Sequence, residues 1–200
     1  MTLYASVAQL KSALRLTDSI DDAMLLLAST SASEVIDAYC GRTFGAGTVA
    51  VTRYYSAKKS NHVEIDDAGS APVFVKSAPN RDGDYSVTLA AGDYALLPSN
   101  NLIDGLAWPF TSIQLLNQRT WPIAQEDEPT VSVSATWGFP SIPSSVTQAA
   151  IIQASRIFAR LSSPLGVAGW GDAGVMRVQS KVDPDVEVLL QPYRRLRYAA

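Results

Sequence analysis

The hydrophobic period of this chain changes twice, and that double change rules out a fold built from one kind of layer. Apolar residues recur at helical spacing through the first forty positions, alternate as in strands from 48 to 137, and return to helical spacing from 145. The second change falls within SATWGFPSIPSSVTQAAIIQ, residues 134–153. Val131, Val133 and Ala135 alternate with Ser132, Ser134 and Thr136, the pattern of a half-buried strand. Gly138 and Pro140 stop that strand, and Pro143 disfavours helix at Ile142 because its ring crowds the preceding residue. Ser145 and Gln148 then have capping-box spacing, which opens a helix. The chain is predicted to be α+β: a small helical bundle from residues 1–47 and 138–200, with an antiparallel β lobe, 48–137, inserted into it.

Ser6 with Gln9 predicts another capping box, ahead of Val7, Leu10, Ala13 and Leu14, and a short loop follows at 16–19. Ser19 with Asp22 predicts the cap of a longer helix. Its apolar stripe is Met24, Leu27, Ala28, Ser31, Val35, Ala38 and Tyr39, and Gly41 is its stop. The helix 145–161 carries Ala150, Ala154, Ile157, Phe158 and Leu161 on one face. Ile151 and Ile152 stand beside that stripe and widen it beyond what one bundle face uses, so they are candidates for contact between subunits. Asp183 followed by Pro184 predicts a cap and a first helical position, with a short helix over 185–190. Strands are predicted over 49–55, 62–65, 73–75, 85–89, 94–97, 113–116 and 131–137, with one more at 175–180.

Charge and cysteine content limit the function. The net charge is -3, so no global basic field draws in nucleic acid. No apolar run approaches the ~20 residues that span a bilayer, which leaves no membrane role. One cysteine, Cys40, forms no intramolecular disulfide, and the opening MTLYASVAQLK lacks the basic and apolar regions of a secretion signal. A soluble protein assembled in a reducing cytosol is expected. Charged residues make up 18% of the chain, below the usual quarter, which suits a surface partly covered by a partner.

No catalytic, metal or cofactor set is predicted. His62 is the only histidine, so any Ser-His-Asp or Cys-His machine must pass through it, and its neighbours Glu64, Asp66 and Asp67 place it on a hairpin as an ordinary surface residue. One Cys and one His supply no tetrahedral metal set. Gly169, Gly171 and Gly174 spell G-x-G-x-x-G, yet a helix precedes them instead of a strand, and Asp172 repels a pyrophosphate. Asp183, Asp185 and Glu187 alternate as helix-start acids. Trp108, Trp121, Trp137 and Trp170, with Tyr54, Tyr55, Tyr85 and Tyr94, suit the core of a β lobe or a protein interface. The same set is what a carbohydrate-binding module uses. The last ten residues, QPYRRLRYAA, hold three arginines and no acid. Pro192 ends the short helix, so Tyr193, Arg194, Arg195, Arg197 and Tyr198 are predicted to extend from the body as a docking arm rich in hot-spot residue types.

Three pieces in order carry a family resemblance. They are LYASVAQLKSALRL with the acid turn SIDD and the helix ending VIDAYCGRTF; then VSATWGFPSIPSSVTQAAIIQASRIFAR; then DPDVEVLLQPYRR. Together they resemble the head-to-tail connector, or adaptor, proteins of long-tailed double-stranded DNA phages, especially those infecting actinobacteria, over both helical ends and a little under half of the chain. The resemblance implies a virion protein of the neck, at the portal vertex. Copies, usually twelve, form a ring beneath the portal protein, DNA passes through the lumen without sequence-specific binding, a C-terminal segment engages the portal, and the opposite side receives a downstream neck, stopper or tail protein. A strongly basic lumen would grip DNA, so an acidic chain agrees with that role. The rival from another class is a tail-associated carbohydrate-binding or hydrolase module on the β lobe. Asp66 and Asp67 serve it poorly, since adjacent strand residues point to opposite faces.

Overall fold

The computed structural model of the protein describes residues 2–125, 128–161 and 183–195. These divide into two units, one from the two ends of the chain, 1–42 with 142–200, and one from the middle, 43–141. The arrangement is α+β, with helices in the first and antiparallel sheets in the second.

The helical unit opens with α1, Val7–Leu14. The Ser6 hydroxyl accepts from the Gln9 N–H at 3.2 Å and the Gln9 side-chain carbonyl accepts from the Ser6 N–H at 2.7 Å, so the predicted capping box forms. Such a cap contributes about 1 kcal/mol. The second helix, α2, runs Asp22–Cys40 and starts differently from the prediction. No side chain caps it, and the Asp22 carboxylate instead takes the Lys11 ammonium at 2.8 Å. Its stop is the predicted one: Gly41 sits at φ 66, a left-handed conformation that glycine adopts without steric cost, and its N–H reaches the Asp37 carbonyl at 2.8 Å.

The buried stripe of α2 also differs. It is Leu25, Ala28, Ser29, Ala32, Ser33, Ile36 and Cys40, turned about 100°, one residue, from the predicted stripe. Met24 and Leu27 face out. Two serines in the seam account for the error, because both are satisfied there. The Ser29 hydroxyl donates to the Ala5 carbonyl at 2.5 Å; the Ser33 hydroxyl donates to the Ser29 carbonyl at 2.9 Å and accepts the Tyr4 N–H at 3.2 Å. A buried hydroxyl with partners costs little, whereas a count of apolar residues alone rejects it.

The third helix, α3, spans Ser144–Leu161 and begins one residue before its expected start. The N–H groups of Val146 and Thr147 both reach the Pro143 carbonyl, at 3.0 and 3.1 Å. Ser145 is no cap; its hydroxyl donates to the Tyr193 hydroxyl at 3.1 Å. Val146, Ala149, Ala150 and Ala154 form the buried face, with Ile157 and Phe158 half-buried beyond them. The helix packs on α1, α2 and the last helix, α4, Pro184–Leu190. That helix starts as predicted, with the Asp183 side chain accepting the Asp185 N–H at 2.9 Å, and Val186 and Leu190 buried. Asp183 also takes the Arg156 guanidinium.

The described residues of the β unit form nine strands: β1 Val51–Tyr55, β2 His62–Ala68, β3 Phe74–Ser77, β4 Val87–Thr88, β5 Tyr94–Leu97, β6 Leu102–Ile103, β7 Leu106–Ala107, β8 Phe110–Leu115 and β9 Val131–Ala135. All pairings are antiparallel, in the orders β1-β9-β3-β4, β2-β8-β5 and β6-β7. The two larger sheets share one core, to which Val63 and Ile65, Ile113 and Leu115, Val75, and Val131 with Val133 contribute, closed by Trp121 and Trp137. The hairpin β6-β7 was not predicted, although Asp104-Gly105 at its tip is a strong two-residue hairpin signal.

β9 was expected to be half-buried and is buried at every residue. It lies inside its sheet, and the register explains the serines. Ser132 stands between Tyr54 and Lys76, and Ser134 between Thr52 and Phe74, so longer side chains flank each small one on the same face. The corner after β9 belongs to this unit. Gly138 donates to the Asp67 carbonyl at 2.8 Å, Phe139 to the Thr43 carbonyl at 3.0 Å, and the rings of Phe44 and Phe139 lie 5.2 Å apart.

Candidate functional site

Among the described residues, those with catalytic side chains are not gathered. His62 is half-buried at the start of β2, opposite Gln114, beside a shallow depression also lined by Ser56, Lys58, Lys59, Val63 and Glu64. Asp66 is committed to the Arg53 guanidinium at 2.7 Å and accepts the Tyr55 hydroxyl at 3.3 Å. Burial, and then the nearby Asp66 charge, hold the Tyr55 hydroxyl well above its ordinary pKa. The ladder of β2 shifts register between Glu64 and Ala68, and this bulge breaks the simple alternation so that Asp67 and Ala68 are both buried. Cys40 is buried and desolvation pushes its thiol up to about 11, which leaves it protonated and unreactive near neutral pH. Among the described residues no three His, Cys, Asp or Glu side chains gather where they could hold a metal. Gly169, Gly171, Gly174, Trp170 and the strand expected at 175–180 lie outside the described residues.

The aromatic set is divided. Trp121 and Trp137 are core, with Tyr55 and Tyr94 packed against them. The Trp137 indole N–H donates to the Val51 carbonyl at 2.7 Å and the Arg53 guanidinium lies 4.6 Å from its ring centre. Trp108 packs edge-on to Phe139 at 5.0 Å. Tyr54 is exposed and pairs with half-buried Tyr85 at 5.2 Å, where the Tyr85 hydroxyl donates to the Pro129 carbonyl. This face carries one tyrosine pair in place of an extended ring platform.

The tail is tethered further than its sequence suggests. Gln191–Tyr193 form one 3-10 turn, and Tyr193 is buried, with its hydroxyl bonded to Ser145. The Arg194 guanidinium lies 5.4 Å from the Tyr39 ring centre, and the Arg195 N–H donates to the Cys40 carbonyl at 2.8 Å. Tyr193, Arg194 and Arg195 therefore close the helical unit. Arg197 and Tyr198 lie outside the described residues.

Ile151 and Ile152 are both half-buried, on the two shoulders of the outward face of α3, where Gln148, Ser155 and Ala159 lie. The outward start of α2 is more apolar. Ile20, Met24, Leu26 and Leu27 are exposed by 85%, 41%, 47% and 55%. Met24 and Leu27 belong to the predicted stripe and face out because Ser29 and Ser33 occupy the seam. The hairpin residues Leu102, Ile103 and Leu106 are likewise exposed.

No family model matches the sequence, and neither does any curated protein. Solved structures share its fold. A chain in the neck of an empty gene transfer agent (GTA) particle, computed with C6 symmetry, superposes with a TM-score of 0.58 at 18% identity. Chains in the neck of the native particle computed with C12 symmetry, and in the native virion, superpose with TM-scores of 0.56 and 0.53 at 18% and 19% identity. Each match covers 96% of this chain and 90% of the other, so both units are included. At these identities the likeness is one of fold.

Proposed function

We propose that this chain is a structural protein of a phage or phage-like virion, a head-tail connector (adaptor) in the neck. Copies of it, twelve in number, form a ring beneath the portal protein, join the DNA-filled head to the next neck, stopper or tail protein, and leave a lumen through which DNA passes without base-specific contacts. Assembly takes place in the host cytoplasm. The observation that carries this reading is the likeness of fold over nearly the full chain to neck chains computed with six-fold and twelve-fold symmetry.

In this reading the chain works by position and copy number and turns over no substrate. Its contact with the portal is assigned to the C-terminal arm. Residues through Arg195 close the helical unit, so the proposed contact falls to 196–200, which contain Arg197 and Tyr198, together with the exposed Arg194. Twelve weak arms on one ring act at high effective concentration, so each needs little affinity of its own. Removing the gene tests the reading. DNA-filled heads and free tails should accumulate unjoined, and adding the purified chain should join them. Normal joined particles without the gene product would refute it.

A further inference from the structure

In a ring each copy touches its two neighbours through different faces, so a ring protein needs two unlike surfaces that fit each other. Among the described residues, α2 and α3 each have an outward face with apolar side chains, and the two faces differ in shape. Met24 and Leu27 on the first turns of α2, with Ile20 in the turn just before it, present long exposed side chains over roughly 10 Å, and Leu26 is exposed about 100° round the helix from Leu27. The outward face of α3 runs through Gln148, Ser155 and Ala159, small or flexible residues between the shoulders Ile151 and Ile152. Long side chains against a helix face floored by small ones is ridge-into-groove geometry. Of the charges on these helices, Asp22 is already paired with Lys11 and Arg156 with Asp183, so the fit is one of shape.

We propose that the exposed start of α2, centred on Leu27, seats on the outward face of α3 of the next copy, between that copy's Ile151 and Ile152. This rests on the ring assigned above and names the contact that closes it. The surface is small. A single helix face of this length is well below the ~800 Å² per partner of a standard interface, so the contact is weak between free chains and holds when a ring supplies it to every copy at once.

Paired cysteines test the contact in assembled virions, because the native Cys40 is buried with its thiol held up to about 11 and does not compete for a maleimide at neutral pH. Leu27→Cys combined with Ser155→Cys, or with Gln148→Cys, and treated with a short bismaleimide should give a ladder of linked chains rising to the copy number of the ring. Each single variant should stay at the size of one chain. Leu27→Asp, at an exposed position, should keep the far-ultraviolet helical signal and reduce joined particles at least tenfold. A ring seen by electron microscopy without the ladder overturns this contact and leaves the ring reading standing; virions with no ring overturn both. Dimers from Leu27→Cys alone would mean α2 meets α2, and a link from Leu27→Cys to a chain of another size would assign the face to a different protein; either result overturns the proposal.

Discussion

Gly138→Ala tests whether the corner after β9 is built as described. Gly138 has φ 117, outside the region open to residues with a side chain, and strain of that kind costs about 1–3 kcal/mol. An added Cβ would also stand 3.1 Å from the Gly45 carbonyl oxygen and 3.3 Å from the Ala46 Cα, backbone atoms that move only if the loop moves. Overpacking adds ~1–3 kcal/mol, and because both penalties are relieved by the same shift, a combined loss of about 2–4 kcal/mol is expected. Gly69→Ala isolates crowding, since its Cβ would lie 2.5 Å from the Ala46 Cβ and 2.8 Å from the Gly138 carbonyl oxygen. Gly92→Ala is the control, with nothing within 4 Å. Urea unfolding followed by tryptophan fluorescence reads mainly the β unit, which contains Trp108, Trp121 and Trp137, three of the four tryptophans. With a slope of ~2 kcal/mol per molar, a 3 kcal/mol loss lowers the midpoint by ~1.5 M. Gly92→Ala should stay within ~0.5 kcal/mol of wild type. A Gly138→Ala midpoint equal to that of Gly92→Ala would refute the strain and crowding account.

Ser33→Ala leaves the buried Tyr4 N–H without its partner and should cost about 1–3 kcal/mol of helical-unit stability, read by far-ultraviolet denaturation; no loss would mean the serine seam is incidental. Tyr193→Ala should destabilise the same unit by ~3–5 kcal/mol, whereas deleting 196–200 should spare stability and reduce capsid attachment; attachment at normal yield without 196–200 would place the portal contact elsewhere. Burial first, opposed by the Tyr4 hydroxyl bond and reinforced by Glu34, raises the pKa of Asp37 above 3.8. The folded state therefore holds that proton more tightly than the unfolded one, and this stabilisation is lost as pH rises through the folded pKa. Asp37→Asn should raise the melting temperature near neutral pH, with the gap closing below pH 3.8; a lower melting temperature at neutral pH would show that the fold uses the charge. His62→Ala should leave virion yield unchanged, and a yield defect in a normally folded variant would give His62 a role absent from this account.

Where local chemistry dictates structure, the sequence was legible. The Ser6-Gln9 box, the Gly41 stop and the Asp183-Pro184 start each rest on a few adjacent residues and are present, and a strand overlaps each run predicted between 49 and 137. Features set by tertiary partners were not legible. Ser29 and Ser33 are buried because Ala5 and Tyr4 meet them, and Ser145 leaves its capping role because Tyr193 is near. Sequence spacing records neither meeting. The exposed start of α2 was hidden by the same error, since rotating the buried stripe by one residue exchanges Met24 and Leu27 for Leu25 and Ser29. The β6-β7 hairpin carried a readable signal in Asp104-Gly105 and was missed because its strands have only two residues each.

A reconstruction of the virion neck, computed without imposed symmetry from particles in which this chain carries a small fused domain, tests the central claim most directly. The account predicts one ring of twelve fused domains at the head-tail junction, against the portal, around an open channel. Fused domains at the tail tip, or a neck ring without them, would contradict it.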